Sequence, residues 1–283
     1  MRRRRVVRVP ASSANLGPGF DALAAALALH VEVEVAETGR FAVHTELSIA
    51  RDRRNLCVRG FELLHPPDRF EFTIRSDVPL AGGLGTSAAA IVAGVVAADS
   101  IFELGADRLA TATRLEGHPD NVAAALHGGF VICADGRAER LEPPPGLEAV
   151  LVVPHRAVRT AKARAALPAE VPMADAVFNL AHASLLTLGL ARGDLDLIAR
   201  GLHDRLHQPR RRHLYPGSLA LAERARELGA LGATISGAGP SVLFWCPFDA
   251  TGAVARKLSD AVGAGAQVLR VPFEPEGADV RAL

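Results

Sequence analysis

The chain has 283 residues, 49% of them hydrophobic, and its 32 lysines and arginines nearly balance its 31 aspartates and glutamates. This length can bury a substantial core, and the balanced charge argues against a disordered chain and against a general nucleic-acid or membrane surface. The positive charge is almost all arginine, because Lys162 and Lys257 are the only lysines. A phosphate site that depends on lysine therefore has few candidates.

Neither cysteine spacing nor hydropathy indicates an exported protein. Cys57, Cys133 and Cys246 lack any metal-ligand spacing and are odd in number, so we expect three free thiols in a reducing cytoplasm. No apolar run reaches the ~18 residues that span a bilayer. The four arginines of residues 2–5 precede Val6–Pro10 rather than an apolar signal region, and we interpret them as a solvated lead-in to the first strand.

The first part of the chain is rich in predicted strands. Alternation of apolar and polar residues predicts strands at Val6–Val9, Leu29–Val35, Phe41–Thr45 and Phe70–Arg75. Composition predicts helices at Phe20–Ala28, Asn55–Leu64, Ser87–Ala98, Asp107–Glu116 and Asp120–Ala125, with a further strand at Gly128–Ala134.

A proline run at 143–145 interrupts regular structure and marks the predicted boundary between a lobe of residues 1–145 and a lobe of residues 146–283. Beyond it the pattern predicts strands and helices in mixed order: a strand at Ala149–Val153, helices across Ala174–Leu206 and Ser218–Leu228, strands at Ala233–Ile235 and Ser241–Trp245, then a final helix and strand. The expected fold class is therefore α+β with two lobes.

A glycine-dense turn runs directly into a predicted helix at Pro79–Ala89. Glycines let backbone N–H groups approach an anion, and a helix N-terminus adds unpaired donors and a favourable dipole. Thr86 and Ser87 offer hydroxyls that could cap the helix, contact phosphate or reach Mg²⁺. The stretch lacks the lysine of a Walker A loop and the G-x-G-x-x-G of a Rossmann turn. Phosphate binding is favoured over a simple capped turn.

Two other stretches follow the same logic. Pro10–Asp21 is a loop of small residues that carries an amide at Asn15 and a carboxylate at Asp21, and Ser236–Ser241 is a glycine hairpin between two predicted strands. Each alone is compatible with an ordinary turn. Together with Pro79–Ala89 they suggest a cleft.

In this order, the three motifs resemble those of the GHMP kinases, and the resemblance spans nearly the whole chain. It implies a two-lobed fold, with an N-terminal lobe like domain 2 of ribosomal protein S5 and a ferredoxin-like C-terminal lobe. It further implies ATP, Mg²⁺ and a homodimer. Three connecting segments resemble the members that phosphorylate L-homoserine in threonine biosynthesis: Glu116–Ala123, Thr160–Arg164 and His207–Arg211.

The resemblance also implies roles for individual residues. Asn55 would contact adenine, and Ser87 and Glu116 would bind Mg²⁺. The nucleotide would lie against a larger set comprising Pro79, Leu80, Ala81, Gly82, Gly83, Leu84, Gly85, Thr86, Ser87, Ala88, Ala89 and Gly237. L-Homoserine would be bound by Asn15, Asp21, His118, Arg164 and Arg211, with Asn121, Arg164 and Thr160 as the catalytic set.

Asn121 carries a mechanistic expectation. An amide cannot accept a hydroxyl proton at neutral pH, so we expect catalysis by positioning and electrostatics without a dedicated base. Asp120 is the rival base, although it could instead cap the helix that begins there. Two further points stay open: which of Arg210, Arg211 and Arg212 binds substrate, and whether the protein phosphorylates another small alcohol or only binds a ligand.

Overall fold

The structure is a computed structural model that describes residues 3–80, 82–156 and 158–282. Its strands are β1 (Arg4–Ala14), β2 (Leu23–Glu37), β3 (Ala42–His44), β4 (Phe70–Ser76), β5 (Phe130–Ala134), β6 (Arg137–Leu141), β7 (Leu147–Pro154), β8 (Gly232–Ile235), β9 (Val242–Pro247), β10 (Ala266–Val271) and β11 (Asp279–Ala282). Its α-helices are α1 (Leu56–Glu62), α2 (Thr86–Phe102), α3 (Arg108–Glu116), α4 (Pro119–His127), α5 (Thr160–Ala165), α6 (Met173–Arg192), α7 (Leu195–Gly201), α8 (Pro216–Glu223), α9 (Ala225–Leu228) and α10 (Thr251–Val262).

Two sheets divide these strands. The first runs β11-β1-β2-β4-β3, and the hairpin β5–β6 pairs with the start of β2. The second has the order β10-β7-β9-β8, with every pair antiparallel. Its connectivity is β-α-β-β-α-β, which is the ferredoxin-like arrangement. The α+β fold class with two lobes is confirmed.

Helix α2 is the buried helix of the first lobe, as its small apolar residues predict. Twelve of its residues, from Ala88 to Ile101, are buried. Small residues let neighbouring backbones approach closely: a Cβ added at Gly94 would lie 2.0 Å from the carbonyl oxygen of Cys57 in α1. The tight packing holds the N-terminus of α2 in a fixed position at the surface between the lobes.

The helix predicted for Phe20–Ala28 is wrong. Residues from Leu23 onward belong to β2, where Ala24 pairs with Ala14 of β1 on one side and with Val131 of β5 on the other. Alanine favours a helix in isolation, but hydrogen bonding to strands on both sides overrides that weak preference. The turn before β2 places Asn15 and Asp21 in the left-handed region, with φ of 70° and 57°.

The C-terminal tail returns to the first sheet. Strand β11 pairs antiparallel with β1, with Arg5 opposite Ala282 and Arg8 opposite Asp279. The predicted division assigned this segment to the second lobe, because spacing along a sequence does not reveal which sheet edge a terminal strand will join. Strand β6 was also not predicted; its burial pattern is mostly exposed, which leaves no apolar alternation to detect.

Candidate active site

The three glycine-containing motifs meet in one cleft of about 200 Å³. Its walls come from the turn before β2, the loop into α2, the start of α4, the start of α5 and the hairpin between β8 and β9. Most of the predicted site residues line it: Asn15, Asp21, Gly82, Gly83, Leu84, Gly85, Thr86, Ser87, Glu116, His118, Asn121, Thr160, Arg164, Arg211 and Gly237.

The N-terminus of α2 opens into this cleft. Its N-cap is Gly85, which has φ of 62° and provides no side-chain hydrogen bond to the helix. The N–H of Ala89 donates to the Gly85 carbonyl at 2.9 Å, which closes the first helical turn. The N–H groups of Thr86, Ser87 and Ala88 precede that bond and have no intrahelical acceptor. They form a donor cluster suited to an anion.

Glycine is required where the loop contacts the β8–β9 hairpin. A Cβ at Gly83, whose φ is 98°, would lie 2.2 Å from the Ser236 carbonyl oxygen. The hydroxyl of Ser236 donates to the Gly83 carbonyl, and that of Ser241 donates to the Gly82 carbonyl at 2.8 Å. The second lobe therefore holds the loop in place through its carbonyls, which leaves its N–H groups for a ligand.

The residues predicted to contact the nucleotide differ in how far their side chains are buried. The side chains of Leu84, Ala88 and Ala89 are buried in the core, so these residues can offer only main-chain groups. Leu80 is 51% exposed and, with Thr86 and Ser87, borders a second, apolar cavity of about 360 Å³. The prediction for Ala81 lies outside the described residues.

Asn55 also borders the apolar cavity, but its amide is already engaged. It is the N-cap of α1: its Oδ1 accepts from the Cys57 N–H at 2.9 Å, and its Nδ2 donates to the Ala50 carbonyl at 2.8 Å. The side chain is nearly fully buried. Its geometry is that of a helix cap on the wall of the cavity.

Ser87 and Glu116 face each other across the start of α2 and the end of α3. The Ser87 hydroxyl donates to Glu116 Oε1 at 2.6 Å, and burial raises the pKa of the Glu116 carboxyl. A hydroxyl and a carboxylate side by side, next to the glycine loop, fit Mg²⁺, which takes few protein ligands and completes its shell with other oxygens such as water. Within the described ranges, no group of three or more His, Cys, Asp and Glu side chains forms a separate metal site.

Asp21 and Arg164 form a bidentate ion pair in the cleft. Arg164 Nη1 and Nη2 donate to the two Asp21 carboxylate oxygens at 3.0 and 2.6 Å. Asn15 supports the pair, because its Oδ1 accepts the Asp21 N–H at 3.0 Å and its Nδ2 donates to the Gly237 carbonyl at 2.9 Å. Nε of Arg164 is buried without a hydrogen-bond partner in the part of the chain that the structure describes. The Arg164 guanidinium therefore does not use all of its hydrogen-bond donors in the pair with Asp21.

Of the three neighbouring arginines, Arg211 is the one that lines the cleft. It is almost wholly buried, and its Nε donates to the Ala163 carbonyl at 2.9 Å. Arg210 pairs with Asp175 and Arg212 with Glu223, both near the surface. Burial lowers the pKa of Arg211. Of the three registers left open by the sequence, the geometry favours the one with Arg211 in the cleft.

Phe20 supports both cleft arginines. The guanidinium carbons of Arg164 and Arg211 lie 5.6 and 5.5 Å from its ring centre, within cation–π range. His207 contacts the same ring at 5.3 Å; its Nε2 is 2.7 Å from the Gly17 carbonyl, and its Nδ1 is 3.2 Å from Arg211 Nη1. His207 is therefore the tautomer that donates from Nε2 and accepts from Arg211. Neither Phe20 nor His207 was predicted as a site residue.

His118 and Thr160 also line the cleft. His118 is the N-cap residue of α4, and burial, followed by the charge of Arg164, lowers the pKa of its imidazole. Thr160 is the first residue of α5 and also lines the cleft. Each offers an uncharged hydrogen-bonding side chain to the cleft.

Asn121 lines the cleft and is held by two neighbouring side chains. The Ser12 hydroxyl donates to Asn121 Oδ1 at 2.8 Å, and Asp120 Oδ1 accepts the Asn121 N–H at 2.6 Å. Asp120 is only 2% exposed, and burial raises its pKa from 3.8 to about 6. Ser12 is not among the site residues predicted from the sequence, although it lies within the Pro10–Asp21 motif, which could have indicated it.

The fold and the phosphate-binding cleft define a GHMP kinase. Family models of the GHMP kinase N-terminal and C-terminal domains match residues 54–129 and 186–264. The chain is 46% identical over 274 residues to homoserine kinase of Gloeobacter violaceus (89% of this chain, 91% of that protein) and 42% identical over 257 residues to that of Moorella thermoacetica (85% and 87%). A crystal structure of homoserine kinase from Cytophaga hutchinsonii superimposes with a TM-score of 0.88 at 29% identity, covering 98% of this chain and 97% of that one. The chain belongs to the homoserine kinase family.

Proposed function

We propose that this protein transfers the γ-phosphoryl group of ATP to the side-chain hydroxyl of L-homoserine, giving O-phospho-L-homoserine and ADP in threonine biosynthesis. The observation that carries the proposal is the Asp21–Arg164 ion pair beside the free N-terminus of α2. An ion pair that could bind a zwitterion and a helix N-terminus that could bind phosphate share this cleft.

The acceptor site suits the two charges of an amino acid. The α-ammonium would take Asp21 as its partner, with Asn15 beside it. The α-carboxylate would accept from Arg164 and Arg211, both of which line the cleft. A zwitterion would bring an additional opposite charge to each partner of this pair, whereas a simple alcohol would bring none.

The donor site suits a nucleoside triphosphate. The main-chain N–H groups of Gly82–Ala88 would hold the phosphates, and the adenine would occupy the adjoining apolar cavity between Leu80 and Asn55. Ser87 and Glu116 would hold Mg²⁺, which when bound neutralises charge on the β- and γ-phosphates. The two sites together bring donor and acceptor into one cleft.

The reaction itself requires alignment more than acid–base chemistry. The hydroxyl oxygen attacks the γ-phosphorus, the bond from that phosphorus to the β–γ bridging oxygen breaks, and ADP leaves with both electrons of that bond. The hydroxyl proton passes to a γ-phosphate oxygen. Asn121, Thr160 and His118 hold the hydroxyl in line, while Arg164 and the α2 N-terminus stabilise the charge that spreads over the phosphoryl oxygens.

A coupled ADP-release assay tests this proposal with L-homoserine, mevalonate and no acceptor in parallel. We expect ADP release that depends on L-homoserine. Equal release with mevalonate would favour a GHMP kinase for another alcohol, and release with no acceptor or none at all would refute the proposal. A protein that binds L-homoserine without turnover would be a ligand-binding member of the fold.

The same proposal includes a homodimer. Helix α6 is, among the described helices, the one long and apolar enough to cross a membrane by length and composition. It packs along α7, yet Met173, Val177 and Leu180 remain 78%, 57% and 71% exposed on one stripe. A second copy of the chain would cover them. Light scattering after size exclusion should give a dimer that Leu180→Glu dissociates and that Leu104→Glu, a surface change in the first lobe, does not; a monomeric wild type would contradict it.

We place this protein in the cytoplasm. All three cysteines are buried and free, and burial raises the thiol pKa of each to about 12. Such thiols are suited to a reducing compartment. Thiol titration of the folded protein purified without reductant should find three that react only after unfolding; a disulfide would contradict this placement.

A further inference from the structure

We infer that Ser12 is a positioning residue that ties the acceptor-side amide of Asn121 to the phosphate-binding loop, so that Asn121 Nδ2–H faces the acceptor hydroxyl. The inference rests on the proposed phosphoryl transfer and adds a residue and an orientation to it. It concerns the link between the donor and acceptor halves of the cleft.

Ser12 contacts both halves at once. Its side chain is fully buried, its Oγ donates to Asn121 Oδ1 at 2.8 Å, and its main-chain N–H donates to the Leu84 carbonyl at 3.1 Å. A Cβ added at Gly85 would lie 2.0 Å from Ser12 Oγ and 2.9 Å from Asn121 Oδ1. The serine, the amide and the helix N-cap are therefore packed without space between them.

Asp120 decides which way the amide faces. Its Oδ1 accepts the Asn121 main-chain N–H at 2.6 Å and lies 3.4 Å from Asn121 Nδ2. An ionised carboxylate only accepts hydrogen bonds, so a flipped amide would place its oxygen against the carboxylate. With the amide in this orientation, the Ser12 hydroxyl donates to Oδ1. One N–H of Nδ2 is thereby directed to Asp120, and the other remains for the cleft that Asn121 lines.

This orientation determines how the acceptor is held. A donor at Nδ2 hydrogen-bonds to a lone pair of the hydroxyl oxygen, which leaves the hydroxyl proton directed to the phosphate that receives it. In the reverse orientation, the hydroxyl would donate its proton to Asn121 Oδ1, so the proton would point away from the phosphate. Because the main-chain N–H of Ser12 also donates to the Leu84 carbonyl, a single residue links Asn121 to the phosphate loop.

A double-mutant cycle between Ser12→Ala and Asn121→Ala tests the inference. We expect Ser12→Ala to lower kcat about 100-fold, as a misplaced reacting group does, with the KM values for ATP and L-homoserine within about twofold of wild type. Asn121→Ala should lower kcat about 1,000-fold. If Ser12 acts only through Asn121, the double variant should have the kcat of Asn121→Ala alone.

Ser13→Ala is the matched control. Ser13 is the next residue of β1 and equally buried, and its hydroxyl oxygen lies 2.8 Å from Ser236 Oγ rather than contacting Asn121. In the double variant Ser13→Ala/Asn121→Ala, the two fold-losses in kcat should multiply. If the kcat losses of Ser12→Ala and Asn121→Ala also multiplied in the double variant, the inference would be wrong.

Two provisions keep the test decisive. The cycle is repeated with Ser12→Cys, which keeps the size and a weak donor and should retain more kcat than Ser12→Ala; equal or lower kcat would count against the hydrogen bond. Wild-type enzyme is assayed first: a protein without homoserine phosphorylation fails the proposed function, whereas an active wild type with a multiplicative cycle fails the Ser12 inference alone.

Discussion

The proposed donor and acceptor halves of the cleft are built from different parts of the chain. The donor half is one continuous segment, residues 82–88, whose main-chain N–H groups and close backbone contacts create the site. The acceptor half draws single side chains from distant segments, with Asp21, Asn121, Arg164 and Arg211 spread over 190 residues of the chain. The donor half depends on glycines, whose lack of a side chain allows close backbone contacts. The acceptor half depends on tertiary packing, which brings distant side chains together.

The difference predicts how each half fails. A substitution in the donor half adds atoms where backbone is already in contact, so it should damage the fold and nucleotide binding together. A substitution in the acceptor half removes a charged or polar group, so it should damage the reaction with little change in the fold. The following predictions, from the largest expected effect to the smallest, test that contrast.

Gly85→Ala should have the largest effect. The new Cβ would lie 2.0 Å from Ser12 Oγ, at a φ of 62° that alanine rarely adopts. We expect kcat/KM for ATP to fall by about 1,000-fold or more and the free energy of unfolding to fall by roughly 2–3 kcal/mol. Steady-state kinetics and urea unfolding measure both.

Gly39→Ala provides the matched control, because Gly39 also has a positive φ, 93°, but a Cβ there meets nothing within 4 Å. It should cost about 1–2 kcal/mol of stability with unchanged kinetics. If the two variants behaved alike, backbone strain rather than close contact would explain the donor half.

Arg164→Ala tests the acceptor half. Losing charge-assisted hydrogen bonds to the substrate carboxylate should lower kcat/KM for L-homoserine by about 100- to 1,000-fold, while the KM for ATP stays within about twofold. The control is Arg210→Ala, which removes a guanidinium that pairs with Asp175 at 3.3 Å instead of lining the cleft. Equal losses for the two arginines, or a lost affinity for ATP, would contradict the assignment.

Asp120→Asn should stabilise the fold. Burial raises the pKa of Asp120 from 3.8 to about 6, so the folded state binds its proton more tightly than the unfolded chain does. The free energy of unfolding of the wild type therefore falls as pH rises from about 4 to about 6, by about 3 kcal/mol in total. Asn removes that penalty, and urea unfolding should show the variant more stable at pH 7 and equal to wild type below pH 4.

The same variant separates positioning from base catalysis. If Asp120 only orients Asn121, kcat should fall about 10-fold or less with unchanged KM values. A fall of several orders of magnitude for Asp120→Asn would mean that Asp120 accepts the proton and that catalysis without a dedicated base is wrong.

Asn55→Ala should have the smallest effect. Its amide caps α1 on the wall of the apolar cavity, so its loss should cost about 1 kcal/mol of stability and raise the KM for ATP only a few-fold. Asp107→Ala removes the equivalent cap of α3, whose carboxylate accepts the Ala110 N–H at 2.9 Å. It should cost the same stability and leave the KM for ATP unchanged. A large rise in that KM for Asn55→Ala alone would show direct contact with adenine.

The same contrast explains what the sequence could predict. The α2 phosphate loop was predicted from local spacing because glycines and a helix start are consecutive. Which of the three neighbouring arginines enters the cleft could not be predicted, because it depends on which of them is buried in the fold. Arg211 is the buried one, and it donates to the Ala163 carbonyl. The strand at Leu23–Ala28 was missed because its partners β1 and β5 lie on either side of it only in the fold. Ser12 and the raised pKa of Asp120 likewise arise from contacts between distant segments.

The most direct test is to follow the phosphoryl group itself. Purified protein with ATP, Mg²⁺ and L-homoserine should produce a phosphate monoester on the homoserine side-chain oxygen, seen by ³¹P NMR, with one equivalent formed for each ADP released. ADP formed without that ester, or the ester formed equally fast by the Arg164→Ala variant, would contradict phosphoryl transfer to L-homoserine in this cleft.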